Sequence, residues 1–439
     1  MKIVLISTYE LGRQPFSLAS PAAWLRGAGH EVTCADLAVG VLPAARLGEA
    51  DLVAIHLSMH TATRLALKAL GRIREITAAP VCAYGLYAPL NEELLRSHGV
   101  STIIGGEFEE ALTRWAEGNG EGSTTVPLDR LRFITPDRTG LPNLRRYAQL
   151  VIDGEKRLVG STEASRGCKH LCRHCPIVPV YNGAFRVVQA DIVLEDIRQQ
   201  IAAGAAHITF GDPDFFNGPS HAIRIVEALH QEFPTITYDA TIKVEHLLKH
   251  RDLLRILRDT GCAFVTSAVE SVDDEVLAKL DKGHTRADFY EAAGLMRSAD
   301  LTLNPTFIAF MPWTTKATYR SMLEALRDLD LVDQTSPIQL SLRLLITANS
   351  RLLDLPEIRA VAGEFDPSSL SHPWRHPDPL VDALAKSALH LVNQRQSEGA
   401  GRRAIFAELW ALAGAEALPE NFALLPRSAV PYLNEPWYC

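Results

Sequence analysis

No run of apolar residues in this chain approaches the ~18–20 that a membrane-spanning helix needs. The opening segment, Met1-Lys-Ile-Val-Leu-Ile-Ser7, has neither a long apolar core nor a small-residue cleavage pattern, so it reads as a first strand. Positive charge is not in excess. Lys and Arg number 44 against 52 Asp and Glu, a formal net charge of −8, which leaves no electrostatic footprint for nucleic acid or an anionic membrane surface. Low-complexity tracts are missing too, and 47% apolar with 22% charged residues describes a globular chain. Cysteine is scarce, at seven in 439 residues, which excludes a disulfide framework and fits reduced thiols in the cytoplasm. A chain of this length is expected to divide into two or three domains.

Against that scarcity, three cysteines fall within eight residues, in Ser165-Arg-Gly-Cys-Lys-His-Leu-Cys-Arg-His-Cys-Pro176. Cys168, Cys172 and Cys175 follow an apolar run, with Gly167 relieving the turn on entry and Pro176 fixing the exit. Three thiolates without an obvious fourth suggest an iron-sulfur cluster with one iron left open. An electron carrier uses four thiolates, whereas a site that binds and breaks a substrate needs a vacancy. Zinc is the rival, because His170 and His174 lie between the cysteines, although no second ligand knuckle follows. Cys34, Cys82 and Cys262 sit in or beside apolar strand-like segments and read as small buried hydrophobes.

From 1 to 118, apolar runs alternate with helical patterns, predicting an α/β fold that begins with a doubly wound parallel sheet. Its strand-to-helix turns carry Thr8 and Tyr9, Ser58, Gly85, and Gly105-Gly106-Glu107. Such turns hold ligands at the carboxyl ends of parallel strands, and glycines there allow close backbone approach; the same glycines also suit tight turns alone. Residues 119–158 shift to Gly, Thr, Pro and Asp and read as a linker. Alternation resumes over 159–350 with strands near Val159–Ser165, His207–Gly211, Tyr238–Ile242, Phe264–Glu270, Leu301–Phe310 and Ile338–Ile346, and with intervening helices that include one expected over Val244–Thr260. Six strand-helix units suggest a partial (β/α)6 barrel, with its chemistry at the carboxyl-terminal rim where Cys168 lies. Residues 351–439 form a small, mainly helical C-terminal region with a tail, Pro431-Tyr-Leu-Asn-Glu-Pro-Trp-Tyr-Cys439, whose prolines argue against a strand.

The CxxxCxxC loop after a first barrel strand resembles that of the radical S-adenosylmethionine (SAM) enzymes. The resemblance implies a [4Fe-4S] cluster on Cys168, Cys172 and Cys175, with S-adenosyl-L-methionine chelating the open iron and His174 packing against the adenine. It implies one-electron cleavage to a 5'-deoxyadenosyl radical, with reduction by a donor such as flavodoxin or ferredoxin. Gly211-Asp212-Pro213-Asp214 stands where that family has a Gly-Gly-Glu turn, and Ser267-Ala-Val-Glu270, followed by Lys282-Gly283, resembles its glutamate-bearing strand end. These imply SAM contacts at Gly211, Asp212, Pro213 and Ser267, with Glu270 on the ribose hydroxyls.

The N-terminal domain resembles the cobalamin-binding domain of the B12-dependent subgroup, through Ser20–Val32 and Gly105-Gly-Glu-Phe-Glu-Glu110. Cobalamin, and methyl transfer to an unactivated carbon of a small molecule or peptide, are the implied outcome. The tail is similar to that of members ending in a Cys-Cys or Cys-selenocysteine pair and Ala-Glu-Pro, which makes Cys439 a catalytic candidate. Two alternatives stay open: rearrangement or thiol/selenol chemistry through Cys439 without methyl transfer, and a non-catalytic iron-sulfur redox or binding protein.

Overall fold

The computed structural model describes residues 1–118, 122–152, 154–414, 418, 422 and 432–433. In the first third, successive strand positions are apolar. Side chains of a strand alternate between faces, so both faces of the resulting sheet must be covered. The sheet comprises β1 (Lys2–Ser7), β2 (Glu31–Asp36), β3 (Leu52–His56), β4 (Val81–Tyr84), β5 (Thr102–Ile104) and β6 (Thr124–Thr125), all parallel, in the order β2-β1-β3-β4-β5-β6. Val4, Ile6, Val53 and Ile55 pack on one side with helix His60–Ile76; Ile3, Leu5, Leu52 and Ala54 pack on the other with Phe16–Gly27 and Glu109–Ala116. The strand order reverses between β1 and β3, and that switch point opens a crevice at their carboxyl ends.

The rest of the chain adds β7 (Gln149–Ile152), β8 (Glu155–Thr162), β9 (Ser165–Gly167), β10 (Phe185–Val187), β11 (His207–Phe210), β12 (Thr237–Thr241), β13 (Cys262–Glu270), β14 (Thr302–Phe307) and β15 (Tyr432–Leu433). β8, β11, β12, β13 and β14 run parallel as a curled half-barrel wall, wrapped by helices such as Ala190–Ala202, Pro219–Glu232 and Arg286–Ser298. Among the described residues no helix is long and apolar enough to cross a membrane.

Several expectations are corrected. The sixth strand, Ile338–Ile346, shrinks to a single bridge between Phe310 and Arg343. Pro337 starts a 3-10 turn, the Gln339 side chain takes the Phe307 N–H at 3.1 Å, and Pro305 in β14 has no N–H to offer a neighbour. The strand expected through Ser165 ends at Thr162, and β9 leaves the wall to pair antiparallel with β10. The segment 119–158 is more than a linker, because β7 folds back antiparallel on β8 and extends the wall. Val244–Thr260 is not one helix: His250 leaves helical dihedrals and sets its ring edge-on to Phe216, splitting the segment into Val244–Lys249 and Leu254–Asp259. The tail does contain a strand, since Tyr432 and Leu433, between two prolines, pair with Val151 and Leu150.

Candidate active site

β9 delivers the chain to Cys168 through Gly167, which sits at φ +70 and where a Cβ would lie 2.4 Å from the Ala184 carbonyl oxygen. Only glycine meets both demands. Gly167→Ala is therefore expected to cost about 1–3 kcal/mol and to lower iron retention, read by denaturant unfolding and iron analysis. The loop is then pinned at both ends: Lys169 N–H donates to Asn217 Oδ1 at 3.2 Å, and Arg173 N–H donates to the Leu280 carbonyl at 2.9 Å. The three thiols stay free. Burial pushes Cys175 up to about 12 and raises Cys168, so metal binding here must release protons. The cysteines do not recruit the histidines between them: His174 turns to Glu270, and His170 lies near Asp214, Glu245 and His246. With both histidines directed elsewhere, a zinc site built from them and the cysteines is not formed.

A bulge between Ala268 and Glu270 ends β13 and puts Glu270 at φ +67, a left-handed conformation that a glutamate rarely adopts. The bulge aims its carboxylate across the rim, 3.2 Å from His174 Nε2 and 3.4 Å from Lys282 Nζ. Burial alone would raise this carboxyl, but the Lys282 charge and the His174 contact hold it at about 2. It is ionised at any working pH. Along the strand ends of the rim lie buried polar atoms without a hydrogen-bond partner, namely His174 Nδ1, Ser267 Oγ, Thr162 Oγ1 and Asn304 Oδ1. Such orphans are uncommon inside a protein and fit a polar ligand seated on the rim. The Asp212 carboxylate accepts from Ser165 Oγ and, at 2.9 Å, from Ala164 N–H, which ties it to the strand that leads to the cysteines.

Gly211 and Pro213 line a cleft between the wall and the N-terminal sheet, facing Glu10, Ser58, Met59 and Gly106 at the switch point. Thr8 and Tyr9 do not line it; Thr8 Oγ1 donates to the Ala62 carbonyl at 2.8 Å, and the Tyr9 carbonyl accepts from Ser58 Oγ at 3.1 Å. Gly85 makes room for His56, since a Cβ would fall 2.6 Å from its Nε2, and Gly105 makes room for Pro89. His56 and Glu10, 2.6 Å apart in the cleft, carry no motif and went unseen in the sequence.

In the cleft wall, Arg166 of β9 makes a two-pronged contact with Glu109 (2.6 and 2.8 Å) and reaches Glu163 at 2.7 Å and Glu107 at 3.5 Å. Tyr181 donates to Glu107 at 2.9 Å, and the guanidinium lies 4.6 Å from the Phe108 ring centroid. One cation faces three carboxylates, so burial pushes Glu107 up to about 7 even with Arg166 opposing it. Arg166 stands inside the cysteine motif, two residues before Cys168, but a sequence cannot show which carboxylates it meets. Cys439 lies outside the described residues.

Residues 162–327 match the radical SAM superfamily. The hopanoid C-3 methylase of Methylococcus capsulatus is 27% identical over 194 residues, 44% of this chain and 36% of that one. The bacteriochlorophyllide d C-12(1)-methyltransferase of Chlorobaculum tepidum is 23% identical over 34% of this chain and 31% of its own. The chain thus spans about a third of the length of these relatives. Among solved structures, the radical S-adenosylmethionine methyltransferase TsrM from Kitasatospora setae, with tryptophan substrate and a SAM analog bound, aligns at TM-score 0.64 and 16% identity, covering 89% of each chain. The cobalamin-dependent S-adenosylmethionine radical enzyme OxsB, with aqua-cobalamin and S-adenosylmethionine bound, aligns at TM-score 0.69 and 14% identity, covering 90% of this chain and 66% of its own. At such identities the likeness is one of fold.

Proposed function

We propose that this chain, which carries a radical SAM domain, is a cobalamin-dependent radical SAM enzyme that methylates an unactivated carbon of a small molecule or peptide. The observation that carries the reading is the cleft. It joins the switch point of a doubly wound sheet, at Ser58 and Gly106, to the rim residues Ser165, Gly167, Gly211 and Pro213 that lead to the cysteines. A cofactor held by the first domain would thereby face one held by the second. The donor set fits a cluster: three free thiols on a pinned loop, with no fourth cysteine in the motif.

With a [4Fe-4S] cluster, S-adenosylmethionine and cobalamin bound, the chemistry supplied is one-electron sulfonium cleavage, hydrogen abstraction and methyl delivery. The chain's own part is placement. Cys168, Cys172 and Cys175 ligate iron, and the ionised Glu270 accepts from ribose hydroxyls while His174 and Lys282 fix its direction. Ser267, Thr162 and Asn304 offer partners to the remaining polar groups, and the apolar cleft walls, Phe16, Leu86 and Ile177 among them, exclude water. A small carrier such as flavodoxin or ferredoxin supplies the electron.

Glu270→Gln removes the charge and keeps the shape, so S-adenosylmethionine affinity is expected to fall about tenfold, measured by equilibrium binding to the reconstituted protein; charged hydrogen bonds of ~1.5–3 kcal/mol set the scale. The function itself is tested by anaerobic reconstitution with iron, sulfide, cobalamin, S-adenosylmethionine and a low-potential reductant. Formation of 5'-deoxyadenosine supports the radical reading, and its absence ends it. 5'-Deoxyadenosine without S-adenosylhomocysteine, when candidate substrates are supplied, replaces methyl transfer with a non-methylating reaction.

A further inference from the structure

One cluster on the rim is left unused by this reading. His170 comes from the cysteine loop, Asp214 from the turn after β11, and His246 from helix Val244–Lys249 after β12. Their donor atoms lie within 4.8 Å of one another, and among the described residues they are the set of His, Cys, Asp or Glu side chains placed to share an ion.

Asp214 is divided between two tasks. Its Oδ1 accepts from the backbone N–H groups of Phe216 and Lys243, at 3.3 and 3.4 Å, which fixes the carboxylate. Its Oδ2 is fully buried and has no hydrogen-bond partner, although His246 Nδ1 is 2.7 Å away and His170 Nε2 is 3.8 Å away. His246 Nδ1 is likewise buried and unpartnered. A plain imidazole-carboxylate pair at that separation would aim the N–H at the oxygen, and this one does not. Donors of a tetrahedral ion with ~2.0–2.1 Å bonds stand about 3.3 Å apart, a separation that the two observed distances bracket. The nearby Lys243 ammonium lies 3.4 Å from Glu245 and 4.0 Å from the Cys172 sulfur, so its charge has counterparts of its own.

We propose that His170, Asp214 and His246 bind one divalent ion of the zinc type, clamping the cysteine loop to two neighbouring turns of the rim. Two imidazoles and a carboxylate suit such an ion and leave one position open. The site is separate from whatever the cysteines hold, and its test keeps the two apart.

The full chain with Cys168, Cys172 and Cys175 all replaced by Ala is dialysed against Zn2+, and bound metal is counted; Co2+ is used as a spectroscopic probe. One zinc per chain is expected, with Co2+ d–d bands lacking thiolate charge-transfer intensity, and adding His246→Ala should weaken zinc binding at least tenfold. In a parallel arm, the cluster-loaded protein should hold one zinc beyond its iron, and His246→Ala should lose the zinc while keeping the iron. Zinc retention that is the same with and without His246 overturns the proposal in either arm, as does the absence of zinc from the cluster-loaded protein. If circular dichroism shows that the cysteine-free chain does not fold, the cluster-loaded arm decides alone.

Discussion

Replacing Cys172 with alanine is expected to remove bound iron and to lower S-adenosylmethionine cleavage by at least ~10³-fold, equivalent to about 4 kcal/mol of transition-state stabilisation. The same holds for Cys168 and Cys175. No thiol is in reserve among the described residues: Cys34 lies in β2, Cys82 in β4 and Cys262 at the start of β13, each fixed in a sheet ladder. Moving one to the loop would require unfolding a strand. The change should leave the fold intact, because the loop's short anchors run from the Lys169 and Arg173 backbone N–H groups to Asn217 and the Leu280 carbonyl, while sulfur makes only long contacts, Cys168 to Asn217 at 3.9 Å and Lys243 to Cys172 at 4.0 Å. Iron analysis, visible absorption and 5'-deoxyadenosine yield measure the effect together. A Cys172→Ala protein that keeps its full iron and its cleavage rate would show that the cysteines do not hold the cluster.

Arg166→Met is expected to destabilise the protein by about 3–5 kcal/mol, the usual consequence of removing one partner from a buried ionic set. Methionine restores much of the volume between Phe108 and Phe133 but leaves Glu107, Glu109 and Glu163 without a cation. Denaturant unfolding measures the loss, and a change below ~1 kcal/mol would mean that the carboxylates neutralise themselves by binding protons. The pH dependence offers a finer check. Glu107 is raised from its ordinary 4.5 to about 7 in the folded chain, so its contribution is present in full below 4.5 and lost as pH rises through about 7. Between pH 5 and pH 8 the wild type should therefore lose stability relative to Glu107→Gln, by something on the order of 2–3 kcal/mol. Parallel curves for the two proteins would contradict this.

The elements that the sequence displayed best are those with local causes. β1, β4 and β5 fall where their apolar runs lie, and the cysteine loop follows a glycine that its backbone demands. The apolar spacing of 338–346 suggests a sixth barrel strand, but Pro305 and Pro337 withhold ladder donors from that edge. In the site, Glu270 was legible from its strand end, but its left-handed backbone and its Lys282 contact depend on a bulge that no spacing rule displays. Asp212 could be read as a rim residue but not as one already engaged by Ser165 and Ala164. Glu10 with His56, and Asp214 with His246, meet only because separate strands end side by side. Tertiary pairing of this sort has no signature in a single chain.

Arg166 also bears on how the molecule comes together in time. It belongs to the three-residue strand that leads to Cys168, yet its main partner, Glu109, lies 57 residues earlier, in the N-terminal domain. Contacts that span such separations form after local ones, since the chain between them must first be ordered. The N-terminal sheet also leaves the ribosome first. The strand leading into the cysteine loop thus gains its main side-chain partner only when the two domains pack together. If the cysteines hold a cluster as proposed, this contact would link the loop that receives it to the packing of one domain against the other.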